Sequence, residues 1–233
     1  MERPRAKSSL TIGHVATYPH GTEPKRKIPI GVAEFYGVRH SVDGESGEPH
    51  SIYYPCHEGK RVVGYKVRSV ASGFGAGVEK SPTQLFGQEV AKYGRPLLVV
   101  EGEEDCLAAK AMLMSGTGIA VDVQSLPNGG SVDGVTRKQS EHFAKYKRIY
   151  LCLDNDTVGK AATKELCEFL SPLAEVRLVD IDESLGKDAS DLLQADKADD
   201  FLKAWKDAKV YSPEDIVNGM DIDLDTLLTP IPS

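Results

Sequence analysis

Four acidic side chains stand where they could bind a divalent cation. Glu101 lies in VVEGEED, Asp154 and Asp156 lie in LCLDNDTVGK, and Asp188 lies in GKDASD. Each follows an apolar run, and a single carboxylate in that place often does no more than cap the next helix. Four such carboxylates together favour a metal site. Oxygen ligands without a nearby Cys or His suit Mg²⁺ or Mn²⁺ better than zinc.

A short basic motif could bind phosphate. Lys66 and Arg68 alternate with Tyr65 and Val67 in YKVRS, so both cations share one face of a predicted strand. Two neighbouring cations suit a triphosphate or the backbone of a nucleic acid template. A solvated strand face would give the same pattern.

Two further features are more ambiguous. Asp105 lies one helical turn beyond Glu101 on the same face, where it could orient metal-bound water or be an ordinary exposed helix acid. The turn Asn128-Gly129-Gly130 could bring backbone N–H groups near phosphate, although ordinary turn chemistry explains it equally well.

The elements around these residues determine whether they can meet. From Pro96 onward, apolar runs predict strands in LLVVEG, IAVDVQS, RIYLCLD and AEVRLVDI. Helical spacing between them predicts helices in EEDCLAAKAMLMS, VDGVTRKQSEHFAKY and TVGKAATKELCEFLS. This alternation predicts an α/β fold, a Rossmann-like parallel sheet flanked by helices. The carboxyl ends of its strands would bring the acids to one edge.

The first half of the chain follows a different pattern. A short helix is predicted from residue 28 to residue 38, and the β-branched and aromatic residues of 51–70 predict an antiparallel strand pair. This half should form a small mixed α+β subdomain. The predicted organisation is an arm or linker at 1–27, a basic subdomain at 28–95, an α/β domain at 96–210 and an acidic linker at 211–233.

Charge is distributed unevenly along the chain. The net charge of -7 argues weakly against a nucleic acid partner. Residues 1–95, however, carry a net charge of +5, while residues 96–180 carry -4 and residues 181–233 carry -8. This polarity fits a protein that contacts phosphates with one part and holds metal ions with another, although uneven surface charge alone would look similar.

Several classes of protein are disfavoured. The four cysteines form no C-x-x-C pair, so neither a zinc ribbon nor a disulfide framework is indicated. No apolar run approaches the length of a membrane span, and the first residues lack the apolar core of a signal peptide. We therefore expect a protein of the reducing cytoplasm, with no membrane partner.

The acidic set resembles a known family. Glu101-Gly102, Asp154-x-Asp156 and Gly186-Lys187-Asp188 are similar to the Toprim domain shared by primases, topoisomerases and some nucleases. The front half narrows the resemblance to the bifunctional primase-helicases of T-seven-like phages. The similar segments are YKVRS at 65–69, KSPTQLFG at 80–87, SLPNGGS at 125–131 and YSPEDIVNG at 211–219.

The resemblance implies a DNA primase core that makes short RNA primers from ribonucleoside triphosphates on single-stranded DNA. It implies about two Mg²⁺ or Mn²⁺ ions, with Asp154, Asp156 and Asp188 as ligands and Asp191 as a less certain one. Glu101 would be a ligand or the general base. Lys66 would take part in catalysis, with Lys66, Arg68, Lys80, Asn128 and Gly129 near phosphates. A fused or separate helicase, in the cytoplasm of a phage-infected bacterium, would be the partner.

Two departures from the family pattern leave alternatives open. A Cys-rich zinc module that reads the template is absent from this sequence, and Ser72 occupies a place where the family commonly has another Lys. The chain would then be either an excised polymerase core or a member of a lineage without template-reading fingers, and a separate zinc-binding module would be a further partner. The alternatives are a catalytically silent Toprim-like module that supports a helicase on single-stranded DNA, and another Toprim metal-dependent nuclease.

Overall fold

The computed structural model describes residues 10–116, 120–129, 132 and 134–212 of the 233-residue chain. The first half contains α1 (Ile12–Val15), α2 (Ile30–Phe35), β1 (Arg39–Val42), β2 (Pro49–Glu58), β3 (Arg61–Ser69), β4 (Gly73–Phe74) and β5 (Val78–Glu79). Strand β3 pairs antiparallel with β2, β4 and β5, and β1 pairs with the other edge of β2. The antiparallel pair predicted within 51–70 is therefore confirmed.

The second half contains β6 (Leu97–Val100), α3 (Glu103–Gly116), β7 (Asp122–Ser125), α4 (Gly134–Arg137), α5 (Ser140–Phe143), β8 (Arg148–Cys152), α6 (Thr157–Leu170), β9 (Glu175–Leu178), α7 (Ala189–Gln194), α8 (Ala198–Lys206) and β10 (Lys209–Val210). Its sheet has the order β10-β9-β8-β6-β7. Strands β7, β6, β8 and β9 are parallel. These are the four strands predicted from the apolar runs, so the parallel α/β sheet is confirmed.

The apolar sequence of β6 reflects its central place in this sheet. All four residues of Leu97–Val100 are completely buried, because helices cover both faces of the strand. Helix α3 is buried around most of its circumference, with Cys106, Leu107, Ala108 and Ala109 fully inaccessible. It lies between the sheet and helices α2, α7 and α8. Such enclosure holds the start of α3 firmly at the carboxyl end of β6.

The structure differs from the predictions in four places. The run predicted as one helix from VDGVTRKQSEHFAKY forms two short helices, α4 and α5. Strand β10 pairs antiparallel with β9 and was not predicted. Helix α2 occupies only the middle of 28–38. Of the predicted arm at 1–27, residues 10–27 pack on the folded chain, where Val15 and Glu23 are buried.

The two halves are joined through a shared core. Phe86 and Ser125 exchange two backbone hydrogen bonds of 3.2 and 3.1 Å, so the LFG segment extends the edge of the sheet beside β7. The Tyr36 hydroxyl donates to the Val123 carbonyl oxygen at 2.8 Å, and its ring stacks on Phe86 at 5.2 Å. Buried residues of α2, β2 and α3 belong to one hydrophobic cluster.

The predicted acidic linker at 211–233 lies almost entirely outside the described residues. Its first residue, Tyr211, donates a backbone hydrogen bond to Val176 at 2.9 Å and so extends the pairing beside β9. Among the described residues, no helix is both long enough and apolar enough to cross a bilayer.

Candidate active site

Three carboxylates converge beyond the ends of the parallel strands. One carboxylate oxygen from each of Asp105, Asp154 and Asp188 lies within 4.8 Å of the other two. Asp105 stands in the first turn of α3, Asp154 follows β8, and Asp188 is the N-cap of α7. The sheet topology therefore gathers acids that are far apart in sequence, and the three supply oxygen ligands of the kind that Mg²⁺ prefers.

Glu101 borders this three-carboxylate cluster. The backbone N–H of Asp154 donates to Glu101 Oε2 at 3.4 Å. Burial raises the pKa of Glu101, and the charges of Asp154 and Asp156 raise it further. The pKa values of Asp105 and Asp188 are also raised, first by burial and then by neighbouring carboxylates. A bound cation would relieve this crowding of negative charge.

A lysine lies among the same acids. Lys187 Nζ lies 2.5 Å from Asp154 Oδ2 and 3.0 Å from Asp156 Oδ2. These two hydrogen bonds raise the pKa of Lys187. Lys187 belongs to the motif Gly186-Lys187-Asp188, but the sequence predicted no role for it. Its position makes it a cation supplied by the chain itself.

Asp156 has a second, structural contact. Its Oδ1 accepts hydrogen bonds from the backbone N–H groups of Val158 and Gly159, both at 2.9 Å, and so caps helix α6. These hydrogen bonds lower the pKa of Asp156. The cluster found in the structure thus contains Asp105, predicted only to orient water, and does not contain Asp156. The ligand role of Asp156 stays a prediction.

A glycine allows the segment after β8 to fold tightly. A β-carbon built on Gly159 would lie 2.1 Å from the carbonyl oxygen of Asp154, which is a severe steric clash with the backbone. Only glycine therefore lets the first turn of α6 pack against the backbone of Asp154. The TVGK string that contains it positions a carboxylate and is not a phosphate-binding loop.

Lys66 reaches from the first half towards the acids of α3. Its Nζ donates to Glu103 Oε1 at 2.5 Å and to the Pro127 carbonyl oxygen at 3.2 Å. Glu103 is buried, which raises its pKa, while Lys66 opposes that shift. Sequence reasoning missed Glu103, because the two residues are 37 positions apart and no local pattern marks the pair.

The phosphate contact of Arg68 stays a prediction, and in the structure this residue takes part in ion pairs. Its guanidinium binds Glu23 and lies 3.3 Å from Glu104 Oε1. Its side chain is only 14% exposed. Arg26 also binds Glu104, at 2.8 Å. Arg68 therefore shares the predicted strand face with Lys66 but belongs to an ion-pair network that joins the two halves.

A cleft of about 560 Å³ lies between the halves of the chain. Its lining includes the acids Glu101, Asp105 and Asp154 together with Lys66, Phe74, Lys80, Asn128 and Gly129. Lys80 is exposed, as the predicted phosphate contact requires. Of the predicted turn, Gly130 lies outside the described residues. Anionic and cationic groups thus line the same open cleft.

The position of Lys80 depends on a second glycine. A β-carbon on Gly64 would lie 2.0 Å from the Lys80 carbonyl oxygen and 2.6 Å from that of Val78. The backbone after β5 can therefore cross over β3 only where β3 has no side chain. This crossing places Lys80 at the cleft on the same side as Lys66.

Comparison with known families agrees with this architecture. Residues 98–193 match the family described as Toprim-like. This segment is a Toprim-like domain, and the resemblance drawn from Glu101-Gly102, Asp154-x-Asp156 and Gly186-Lys187-Asp188 is confirmed. The match covers β6 to α7, and so it contains all three members of the carboxylate cluster.

Two curated relatives and one solved structure extend the comparison. An uncharacterised protein of Mycoplasma genitalium, MG010, is 30% identical over 132 residues, which is 57% of this chain and 57% of that protein. The DNA helicase/primase of Enterobacteria phage T3 is 27% identical over 164 residues, which is 69% of this chain and 27% of that protein. The chain thus spans little more than half of one relative and about a quarter of the other.

One similar solved structure is the primase fragment of the bacteriophage T7 primase-helicase protein. It superimposes with a TM-score of 0.69 over 88% of this chain and 81% of that fragment, at 20% identity. At this identity the likeness is one of fold. It extends beyond the Toprim-like segment into the first half of the chain.

Proposed function

We propose that this chain is the RNA polymerase domain of a DNA primase, which makes short RNA primers from ribonucleoside triphosphates on single-stranded DNA. The observation that carries the proposal is the cleft, which is lined by Lys66 and Lys80 and by two members of the three-carboxylate cluster, Asp105 and Asp154. A nucleoside triphosphate needs metal-bound phosphates on one side and cationic contacts on the other. The phage helicase/primase relative and the primase-fragment fold support the same reaction.

The donor set fits Mg²⁺ or Mn²⁺. Asp105, Asp154 and Asp188 offer carboxylate oxygens only, and Glu101 and Asp156 stand beside them. Burial and neighbouring carboxylates raise the pKa values of Asp105 and Asp188, so a bound divalent cation would stabilise their charged forms. Two bound divalent ions would supply Lewis acidity at the attacking hydroxyl and at the leaving pyrophosphate.

The chain's own residues would orient the nucleotide. Lys66 lines the cleft and is held in place by Glu103 and the Pro127 carbonyl. Its side chain is therefore already ordered and loses less conformational entropy when a phosphate binds. Lys80 adds a mobile cation at the surface. Asn128 and Gly129 present a turn from the opposite edge, where backbone N–H groups can approach phosphate oxygens.

Glu101 could act in this reaction as the general base or as a metal ligand. In primer synthesis the 3′-hydroxyl oxygen forms a bond to the α-phosphorus, the bond from that phosphorus to the β-phosphate oxygen breaks, and pyrophosphate leaves. The hydroxyl proton must pass to a base. Burial raises the pKa of Glu101, which improves it as a base, and its contact with Asp154 equally suits a metal ligand.

The partners follow from the same proposal. The phage relative is named as both helicase and primase, and this chain spans only about a quarter of it. We therefore propose a helicase, fused or separate, as the partner, and a separate zinc-binding module as the template reader. The setting would be the cytoplasm of a phage-infected bacterium.

A primer-extension assay tests the function. Labelled ribonucleotide, single-stranded template, a dinucleotide primer and Mn²⁺ or Mg²⁺ would be combined with wild type or with Glu101→Gln. Glu101→Gln keeps the shape but removes the charge, so product should fall about 10²- to 10⁴-fold. Glu141→Gln, at an exposed acid outside the cleft, is the matched control and should leave product unchanged.

The outcomes separate the alternatives. Equal product from wild type and Glu101→Gln would refute the catalytic assignment. Product from neither, even with a zinc module added in trans, would favour the silent helicase-support module. Degradation of the template instead of primer extension would favour the nuclease.

A further inference from the structure

An exposed aromatic ring lines the cleft and has no place in the reaction described above. Phe74 forms β4 together with Gly73 and pairs with Arg68 of β3. Its side chain is 55% exposed, although its ring would gain by burial. It also lines the same cleft as Lys66 and the carboxylates.

The surroundings of Phe74 leave one side of the ring accessible. Lys66 Nζ lies 5.1 Å from the ring centroid, and the Tyr54 ring lies 6.0 Å away at a tilt. Glycines flank the residue on both sides. A β-carbon built on Gly73 or on Gly75 meets no described atom within 4 Å. A flat ligand can therefore approach the ring without meeting neighbouring side chains.

We propose that the Phe74 ring is a stacking surface for a nucleobase whose phosphates lie towards Lys66 and Lys80. This proposal deepens the proposed function, since it assumes that the cleft takes nucleotides. Stacking on an aromatic side chain tolerates any base, because every base has a flat π face. The base belongs to a nucleoside triphosphate or to a single strand, and both share the chemistry of a base joined to phosphate.

A second exposed phenylalanine also lies beside a lysine, so a neighbouring ammonium group alone does not distinguish Phe74. Phe35 is 41% exposed, and Lys110 Nζ lies 5.1 Å from its ring centroid. This pair has the same ring-to-ammonium distance as Phe74 and Lys66, but Phe35 does not line the cleft. Phe35 is therefore a matched control for Phe74.

Fluorescence can test stacking without any turnover. Trp205 is the single tryptophan of the chain, is only 5% exposed and stacks on Tyr150 at 3.7 Å, so its signal should be a constant background. Phe74→Trp adds an indole at the cleft. ATP and a single-stranded oligonucleotide should quench that indole, while tripolyphosphate and an abasic oligonucleotide, which lack bases, should not.

Affinity measurements on Phe74→Ala and Phe74→Leu complete the test. Both should bind base-bearing probes about 5- to 150-fold more weakly than wild type, because stacking on an aromatic ring is lost. Affinity for the base-free probes should be unchanged. Phe74→Leu keeps apolar bulk, so a common loss in both variants identifies the π face. The probe that loses more affinity, ATP or the oligonucleotide, identifies the source of the base.

Several results would overturn the inference. One is an equal loss of affinity for base-bearing and base-free probes, and another is equal quenching in Phe35→Trp. Failure of wild type to bind either base-bearing probe would also refute it. The outcome is separable from the proposed function. Base-dependent binding through Phe74 without primer synthesis would refute only the synthesis, and synthesis untouched by Phe74→Ala would refute only the stacking.

Discussion

Lys187 Nζ lies 2.5 Å from Asp154 Oδ2, inside the group of acids that would hold metal ions. The same ammonium group lies 3.0 Å from Asp156 Oδ2. A cation from the chain therefore already neutralises part of the acidic edge. Any divalent ion that uses these oxygens has to displace the lysine or share the carboxylates with it.

Removal of this lysine should strengthen metal binding. In Lys187→Met, a competing positive charge is lost. We expect Mn²⁺ to bind on the order of 5-fold more tightly, a change that corresponds to the free energy of a partly exposed ion pair. Calorimetry or the electron spin resonance of free Mn²⁺ measures this affinity.

Lys160→Met is the control for Lys187→Met, because Lys160 pairs with Glu183 at 3.0 Å and contacts none of the clustered carboxylates. Its Mn²⁺ affinity should match wild type. Unchanged or weaker binding by Lys187→Met would mean that Lys187 does not compete with the ion.

Arg68→Met should destabilise the fold. Among the described residues, the substitution leaves buried Glu23 with Lys25, at 2.8 Å, as its remaining ion-pair partner, and it weakens the network around Glu104. Since a buried carboxylate then loses a cation, the free energy of unfolding should fall by about 2–4 kcal/mol. Chemical denaturation measures the change.

Lys80→Met is the matched comparison for Arg68→Met. Its exposed side chain should contribute little to stability, while the salt dependence of single-strand binding should flatten by a slope of about 0.7. If Arg68→Met kept full stability but lost a similar slope, the original expectation of a phosphate contact at Arg68 would be correct.

Glu89→Gln should stabilise the protein in a pH-dependent way. Burial raises the pKa of Glu89 to about 7, and its Oε2 has no hydrogen-bond partner in the part of the chain that the structure describes. His57 Nδ1 lies 3.4 Å away, but burial lowers the pKa of His57, so near neutral pH this histidine supplies no full positive charge.

The pH dependence of the free energy of unfolding follows from proton binding to Glu89. Between the ordinary pKa of 4.5 and about 7, the folded chain binds more protons than the unfolded chain, so stability falls as pH rises. At pH 8, Glu89→Gln should therefore gain up to about 3 kcal/mol, with little gain at pH 5. Exposed Glu34→Gln is the control. An equal gain at both pH values would point to packing instead of charge.

Local patterns predicted the parts of the fold that local physics determines. The burial of β6, with all four side chains inaccessible, is visible as the uninterrupted run LLVV. Helix α6 shows helical spacing with Asp156 as its cap. The convergence of Asp154 and Asp188 followed from the parallel sheet, since such a sheet puts its strand ends at one edge.

The remaining features depend on contacts between distant segments. Nothing near Lys66 in sequence indicates that Glu103 will bind it, and nothing near Arg68 indicates Glu23. The predicted helix over VDGVTRKQSEHFAKY divides because a polar run offers too little apolar surface to hold one continuous helix against the sheet. Asp105 entered the cluster because α7 brings Asp188 to it, which no helical pattern could reveal.

The pairing of Phe86 with Ser125 bears on how this protein can be divided. A cut between residues 95 and 96 would separate the basic half from the Toprim-like half and would remove the Phe86 bridge from the outer edge of β7. An unpaired strand edge and an uncovered apolar face invite aggregation. Because the two halves share this bridge and one hydrophobic cluster, we expect them to melt in a single transition.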